Sequence, residues 1–139
     1  MVKFEIFIHK RADQVLSDKG LYQEVKDILQ TVKRVNHDEI QTEFRNKIWI
    51  IEKQIHPGTT WAWDAFKNKV AVSVEFNNFN AVSRDFLRAI LKHKHGDLDV
   101  LIYITQTFKE PKFSNVKRDI EIFKELLSLP ILLVGVHMT

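Results

Sequence analysis

A chain of 139 residues, 45% hydrophobic and 28% charged, is sized and balanced for one domain spanning 1–139, with little material for a second core. Cysteine is absent, which excludes disulfides and thiolate metal sites. No apolar run reaches the roughly 18 residues that a membrane span needs, and the start, MVKFEIFIHKR, is too short and charged for a secretion signal. A cytoplasmic protein without a membrane partner is therefore expected. The net charge of +3 leans mildly towards polyanions.

Residues 2–9 alternate as VKFEIFIH, the pattern of a strand. Helices are predicted over 11–18 and 20–32, the second with Leu21, Val25, Ile28, Leu29 and Val32 at helical spacing. A short helix over 37–46 carries Ile40 and Phe44. Three strands follow, 47–56, 59–66 and 69–76, separated by turns at Pro57-Gly58 and Asn68. Short turns between consecutive strands predict an antiparallel meander. Residues 79–95 form a helix stopped by Gly96, with Phe79, Val82, Phe86, Ile90 and Leu91 on one side. The apolar runs 99–105 and 130–136 are strands buried on both faces. A helix over 116–128 lies between them, facing Val116, Ile120, Phe123 and Leu127 inward. The fold class is α/β, a mixed sheet of the meander plus two buried strands with helices on both faces.

Strand 69–76 carries the chemistry. Val70, Val72, Val74 and Phe76 share an apolar face; Ala71, Ser73, Glu75 and Asn77 share the other. A carboxylate on a central strand needs a reason. Asp64, late in the preceding antiparallel strand, can approach Glu75, and two such carboxylates can hold a hard cation such as Mg2+. Such a cation activates water and neutralises charge on a phosphodiester. The plain alternative is an exposed sheet face. Two basic clusters, Arg84 to His95 and Lys109 to Arg118, read as phosphate-binding surface or as solvated helix faces. The six histidines show no metal-ligand spacing. Trp49, Trp61 and Trp63 read as packing residues before base-stacking platforms.

Asp64, Ser73, Glu75, Phe76, Asn78 and Arg88, with VLIYIT, Phe113-Ser114-Asn115 and PILLVGV in the same order, resemble the BglII family of type II restriction endonucleases, which share the PD-(D/E)XK nuclease core. RADQVLSDKGLYQEV is similar to that family's opening helices. The resemblance implies a Mg2+-dependent endonuclease, a homodimer on palindromic double-stranded DNA, with a methyltransferase partner acting on the same site. It implies Asp64, Ser73 and Glu75 as catalytic positions. Asp64, Glu75 and the backbone at Val74 would hold the metal. Asn77, Asn78, Arg84, Arg88, Ser114, Asn115 and Lys117 would contact DNA. Glu43, on the early helix, is a candidate extra ligand or base.

One departure stands out. The family's central Glu is Ser73 here, and Glu75 stands where the family has Gln. A hydroxyl is a poorer ligand for a hard cation than a carboxylate. Three accounts stay open: the ligands shift to Glu75 and Asn77, the protein is naturally inactive, or Ser73 is an engineered change. A DNA-binding protein with a decayed nuclease fold is the competing function.

Overall fold

The computed structural model describes residues 2–138. Its elements begin with β1 (Val2–His9), α1 (Ala12–Asp18), α2 (Tyr22–Thr31) and α3 (His37–Asn46). The meander follows as β2 (Ile50–Gln54), β3 (Ala62–Lys67) and β4 (Val70–Val74). Then come α4 (Ala81–Lys94), β5 (Val100–Gln106), α5 (Phe113–Ile122) and β6 (Ile131–Met138). All six strands form one sheet in the order β1-β6-β5-β4-β3-β2.

The meander is antiparallel as expected, and β4, β5 and β6 run parallel through the centre. Every residue of β5 is buried, the signature of a parallel strand covered on both faces. The first strand, which alternation alone does not place, pairs antiparallel with β6 along its whole length, from Val2↔Met138 to His9↔Ile131. One face of the sheet is covered by the inward residues of α1, α2 and α3, including Leu16, Val25, Ile28, Ile40 and Phe44. The other face is covered by Val82, Phe86 and Ala89 of α4 and Val116 and Ile120 of α5. Among the described residues, no helix is long and apolar enough to cross a membrane.

The turn between β3 and β4 is Asn68-Lys69, both left-handed at φ 49° and 60°. That backbone matches the twist of a two-residue hairpin, and it fixes the register at Lys67↔Val70. Gly96, at φ 79°, ends α4 where predicted.

Several boundaries differ from the sequence pattern. The strand expected over 69–76 stops at Val74, so Asn77 lies in a loop and does not share a strand face with Ser73. The helix expected over 116–128 is Phe113–Ile122. Ser114 and Asn115 therefore sit in its first turn and not in a loop. Phe123, expected inside, is 52% exposed, because the helix has already ended and the chain turns out to solvent. Phe79 and Leu91, expected along the inner side of α4, are both exposed at 39%; Phe79 precedes the helix.

Candidate active site

The site begins where two strands part. The β3–β4 ladder runs from Lys67↔Val70 only to Ala65↔Val72. The next pair in that register would be Asp64 opposite Ser73. There the backbone bonds stop, and the Asp64 side chain takes over: its Oδ2 accepts the Val74 N–H at 2.7 Å. On the other side of β3, the pairs Ile51↔Ala65 and Lys53↔Trp63 bracket Glu52, which is left-handed at φ 56° and outside the ladder. Glu52, Asp64 and Ser73 thus form a row across three strands at the fork. A cleft opens there, lined by Glu52, Thr60, Trp61, Ala62, Asp64, Ser73, Val74, Glu75, Arg84, Asp85 and Arg88.

Asp64 is gripped from the opposite sheet face as well. His37 Nε2 lies 2.8 Å from Asp64 Oδ1, and the buried Gln41 amide donates to the Asp64 backbone carbonyl at 3.1 Å. Both residues sit on the inward stripe of α3 with Ile40 and Phe44. The start of that helix is fixed by Asn36, whose side chain accepts the Glu39 N–H at 2.9 Å. Glu39 in turn accepts the Lys33 backbone N–H. The hydrogen bond to Asp64 raises the His37 pKa to about 9 against the opposing effect of burial, with Asp38 adding to the rise.

Glu75 turns its carboxylate towards its own loop, where Oε2 accepts the N–H groups of Asn77 and Asn78, both at 3.1 Å. Ser73 is buried opposite Tyr103 of β5. The Tyr103 hydroxyl donates to Asp85 at 2.9 Å. Burial raises the Asp85 carboxyl above its usual value, and burial beside Asp85 also raises the Tyr103 phenol. Arg88 stacks on Trp61, and burial lowers its pKa from the ordinary guanidinium value.

The other predicted residues divide by place. Asn77 and Asn78 are exposed on the loop after β4, outside the cleft lining but bonded through their N–H groups to the cleft residue Glu75. Ser114 and Lys117 line a shallow depression with Glu5 and Arg118, away from the cleft. The Asn115 side chain donates to Glu110. The two loops are nonetheless tied: buried Gln106 donates to the carbonyl of Phe76 at 2.7 Å and of Glu110 at 3.4 Å. Glu43 is outside the cleft and accepts the Thr31 hydroxyl. Lys92, counted among the surface cations, is buried against His56 at 3.0 Å.

A family model for restriction endonuclease BglII/BglIII matches residues 4–136. The chain belongs to the BglII/BglIII restriction endonuclease family. The fold agrees: the crystal structure of restriction endonuclease BglII complexed with a DNA 16-mer superposes with a TM-score of 0.82 at 20% identity, over 99% of this chain and 79% of that one. No match is found among curated proteins.

For a BglII-family chain the donor set is lean but suitable. The carboxylates of Asp64 and Glu75 line one cleft, and carboxylate oxygens are donors of the kind a hard divalent cation takes. Among the described residues no group of three His, Asp or Glu side chains is placed to share one ion. Sequence reasoning missed His37, Trp61, Asp85 and Gln106. A signal existed for His37: it stands three and four residues before Ile40 and Gln41 on the inward face of a helix predicted over 37–46. Nothing local marks Gln106, whose role depends on two loops meeting.

Proposed function

We propose that this chain is a Mg2+-dependent, sequence-specific double-strand DNA endonuclease that works as a homodimer. The reading is carried by one observation: Asp64, Ser73, Val74 and Glu75 line a single cleft with the cations Arg84 and Arg88. Carboxylates to hold a divalent ion, next to guanidinium groups to hold a phosphate, are the elements of phosphodiester hydrolysis. A bound divalent cation would neutralise phosphate charge and lower the pKa of water. Asp64 and Glu75, with the Val74 carbonyl, would hold it. Arg84 and Arg88 would orient the scissile phosphate, and the exposed Asn77 and Asn78 amides would meet base edges, where an amide donates and accepts at once. Ser114, Asn115 and Lys117, coupled to that loop through Gln106, would extend the DNA contact. A methyltransferase acting on the same site would be the functional partner.

The dimer would form on the outer side of α4 and the end of α5. Leu87, Phe123 and Leu126 are 66%, 52% and 69% exposed there, and they line one apolar groove with Val82, Phe86 and Ile90.

A second reading, a DNA-binding protein that no longer cuts, is favoured by Ser73 and by the commitment of Glu75 to the Asn77 and Asn78 N–H groups. Incubation with unmethylated genomic DNA over Mg2+ and Mn2+ series separates the two. Discrete fragments that vanish with Asp64→Asn support the nuclease. Specific binding without cleavage at any metal concentration supports the second reading, and absence of both binding and cleavage removes each.

A further inference from the structure

Resting on the reading that the Asn78 loop and the first turn of α5 meet DNA bases, we propose that Gln106 is a specificity-determining positioning residue. Without contacting DNA itself, it holds those two segments at a fixed spacing. Gln106 ends β5 and is 1% exposed. Its amide donates to the Phe76 carbonyl at 2.7 Å and, over a longer reach, to the Glu110 carbonyl at 3.4 Å. An amide NH2 carries two hydrogens, so one side chain serves both segments at once. Burying an amide at the end of an otherwise apolar strand costs free energy unless it is bonded. Here the bonds go to the two segments that lead into Asn78 and Asn115.

The end of β5 anchors each segment by other bonds too. On one side the Glu75 N–H donates to the Ile104 carbonyl at 2.9 Å, and the Glu75 carboxylate accepts the Asn77 and Asn78 N–H groups. On the other side the Thr105 hydroxyl donates to the Pro111 carbonyl, and Gln106 forms a parallel bridge with Lys112. The amides are oriented within this frame: Asn78 Oδ1 accepts the Asn80 N–H at 3.0 Å, and the Asn115 amide donates to Glu110. The Gln106 side chain joins one half of the frame to the other. Segments held at one spacing cannot each shift to satisfy a wrong base, so a mismatch leaves polar groups unpaired. Segments freed from each other re-pair separately. Discrimination then falls, while phosphate contacts, which carry no sequence information directly, persist.

The test selects sites for the full wild-type chain from a random-sequence duplex library in Ca2+, then measures affinity for the best site and its single-base variants. Gln106→Met keeps the side chain's length and removes both donors. Wild type is expected to prefer the best site over its variants by about tenfold or more. Gln106→Met is expected to bring them within about threefold, with affinity for random-sequence duplex and its salt dependence kept. A folded Gln106→Met with wild-type discrimination, or one that weakens on every duplex alike, overturns the positioning role and leaves the DNA-reading surface in place. A wild-type chain that enriches no sequence overturns the underlying reading of base contacts as well. Should Gln106→Met fail to fold, nuclear magnetic resonance of the wild-type chain decides. Gln106 side-chain NH2 signals protected from exchange, and shifted by the selected duplex, are expected; rapidly exchanging signals that ignore the duplex overturn the proposal.

Discussion

The guanidinium of Arg88 lies 4.1 Å from the centre of the Trp61 ring. The contact joins α4 to the chain entering β3 across the mouth of the cleft. Arg88 Nε is buried without a hydrogen-bond partner, so the indole face, with the charge of nearby Asp85, helps hold this cation in place. A double-mutant cycle on DNA affinity, with Trp61→Ala and Arg88→Ala, is expected to give a coupling of about 1 kcal/mol. Trp61→Phe should keep part of it. Additive single effects would mean that Trp61 only fills space.

Ser73→Glu adds a carboxylate to a cleft that already contains Asp64, Glu75 and Asp85. In chelator the variant is expected to melt below wild type, since like charges are forced together. Adding Mn2+ or Mg2+ should reverse the loss. Cleavage should rise on the order of a thousandfold, about 4 kcal/mol of barrier. A variant that stays destabilised in metal and cuts no faster would show that position 73 does not face the ion.

Asp85 gives the pH dependence. Burial raises its carboxyl above 3.8; Glu75 adds to the rise, while the Tyr103 hydroxyl, Arg84 and Arg88 oppose it. A folded pKa above the unfolded one means stability that is present below 3.8 and lost as pH rises through the folded value. Asp85→Asn removes that loss and keeps an oxygen acceptor for Tyr103. The variant should match wild type at about pH 3 and melt a few degrees higher at about pH 7. An equal gap at both pH values would remove the titration argument.

The sequence made the sheet legible wherever one residue type repeats with a clear period. The valines of β4, the buried run of β5 and the inward residues of α2 all appear in the core as read. That Asp64 and Glu75 meet at one cleft was legible too, because Asp64 stands late in the strand before Glu75; that Asp64 falls opposite Ser73 follows from the hairpin register. What stayed hidden depends on contacts between distant segments. The approach of α3 to Asp64 spans 27 residues of chain. The Gln106 tie needs two loops to meet. The early end of α5 escaped because Phe123 and Leu127 continue its apolar period after the helix has stopped.

Gly135 marks another long-range approach. A Cβ there would lie 2.7 Å from Phe113 Cβ, so β6 and the first turn of α5 are closer than a side chain permits. Gly135→Ala is expected to cost about 1–3 kcal/mol by overpacking, read by urea denaturation. Phe113→Ala in the same chain should recover part of that loss. Full tolerance of Gly135→Ala would mean that α5 shifts freely.

Leu87→Asp or Leu126→Asp should break the proposed dimer. Each places a charge in the apolar groove between α4 and the end of α5. Sedimentation should show a wild-type dimer and variant monomers, with the helical signal unchanged. A monomeric wild type, with DNA present, would end this proposal.

The pairing of β1 with β6 has a consequence for how the chain is made. The ribosome delivers Val2–His9 first and their partner strand, Ile131–Met138, more than a hundred residues later. Throughout that interval β1 has no native partner, and its neighbours must wait or pair wrongly. The charges of Lys3 and Glu5, alternating with apolar neighbours, discourage a stray strand from adding to that edge. Closure of such a distant pair is slow. While the residues between them are being made, the outer strand of the sheet is therefore unclaimed, and the complete sheet that supports the Asp64 fork assembles only after β6 has emerged.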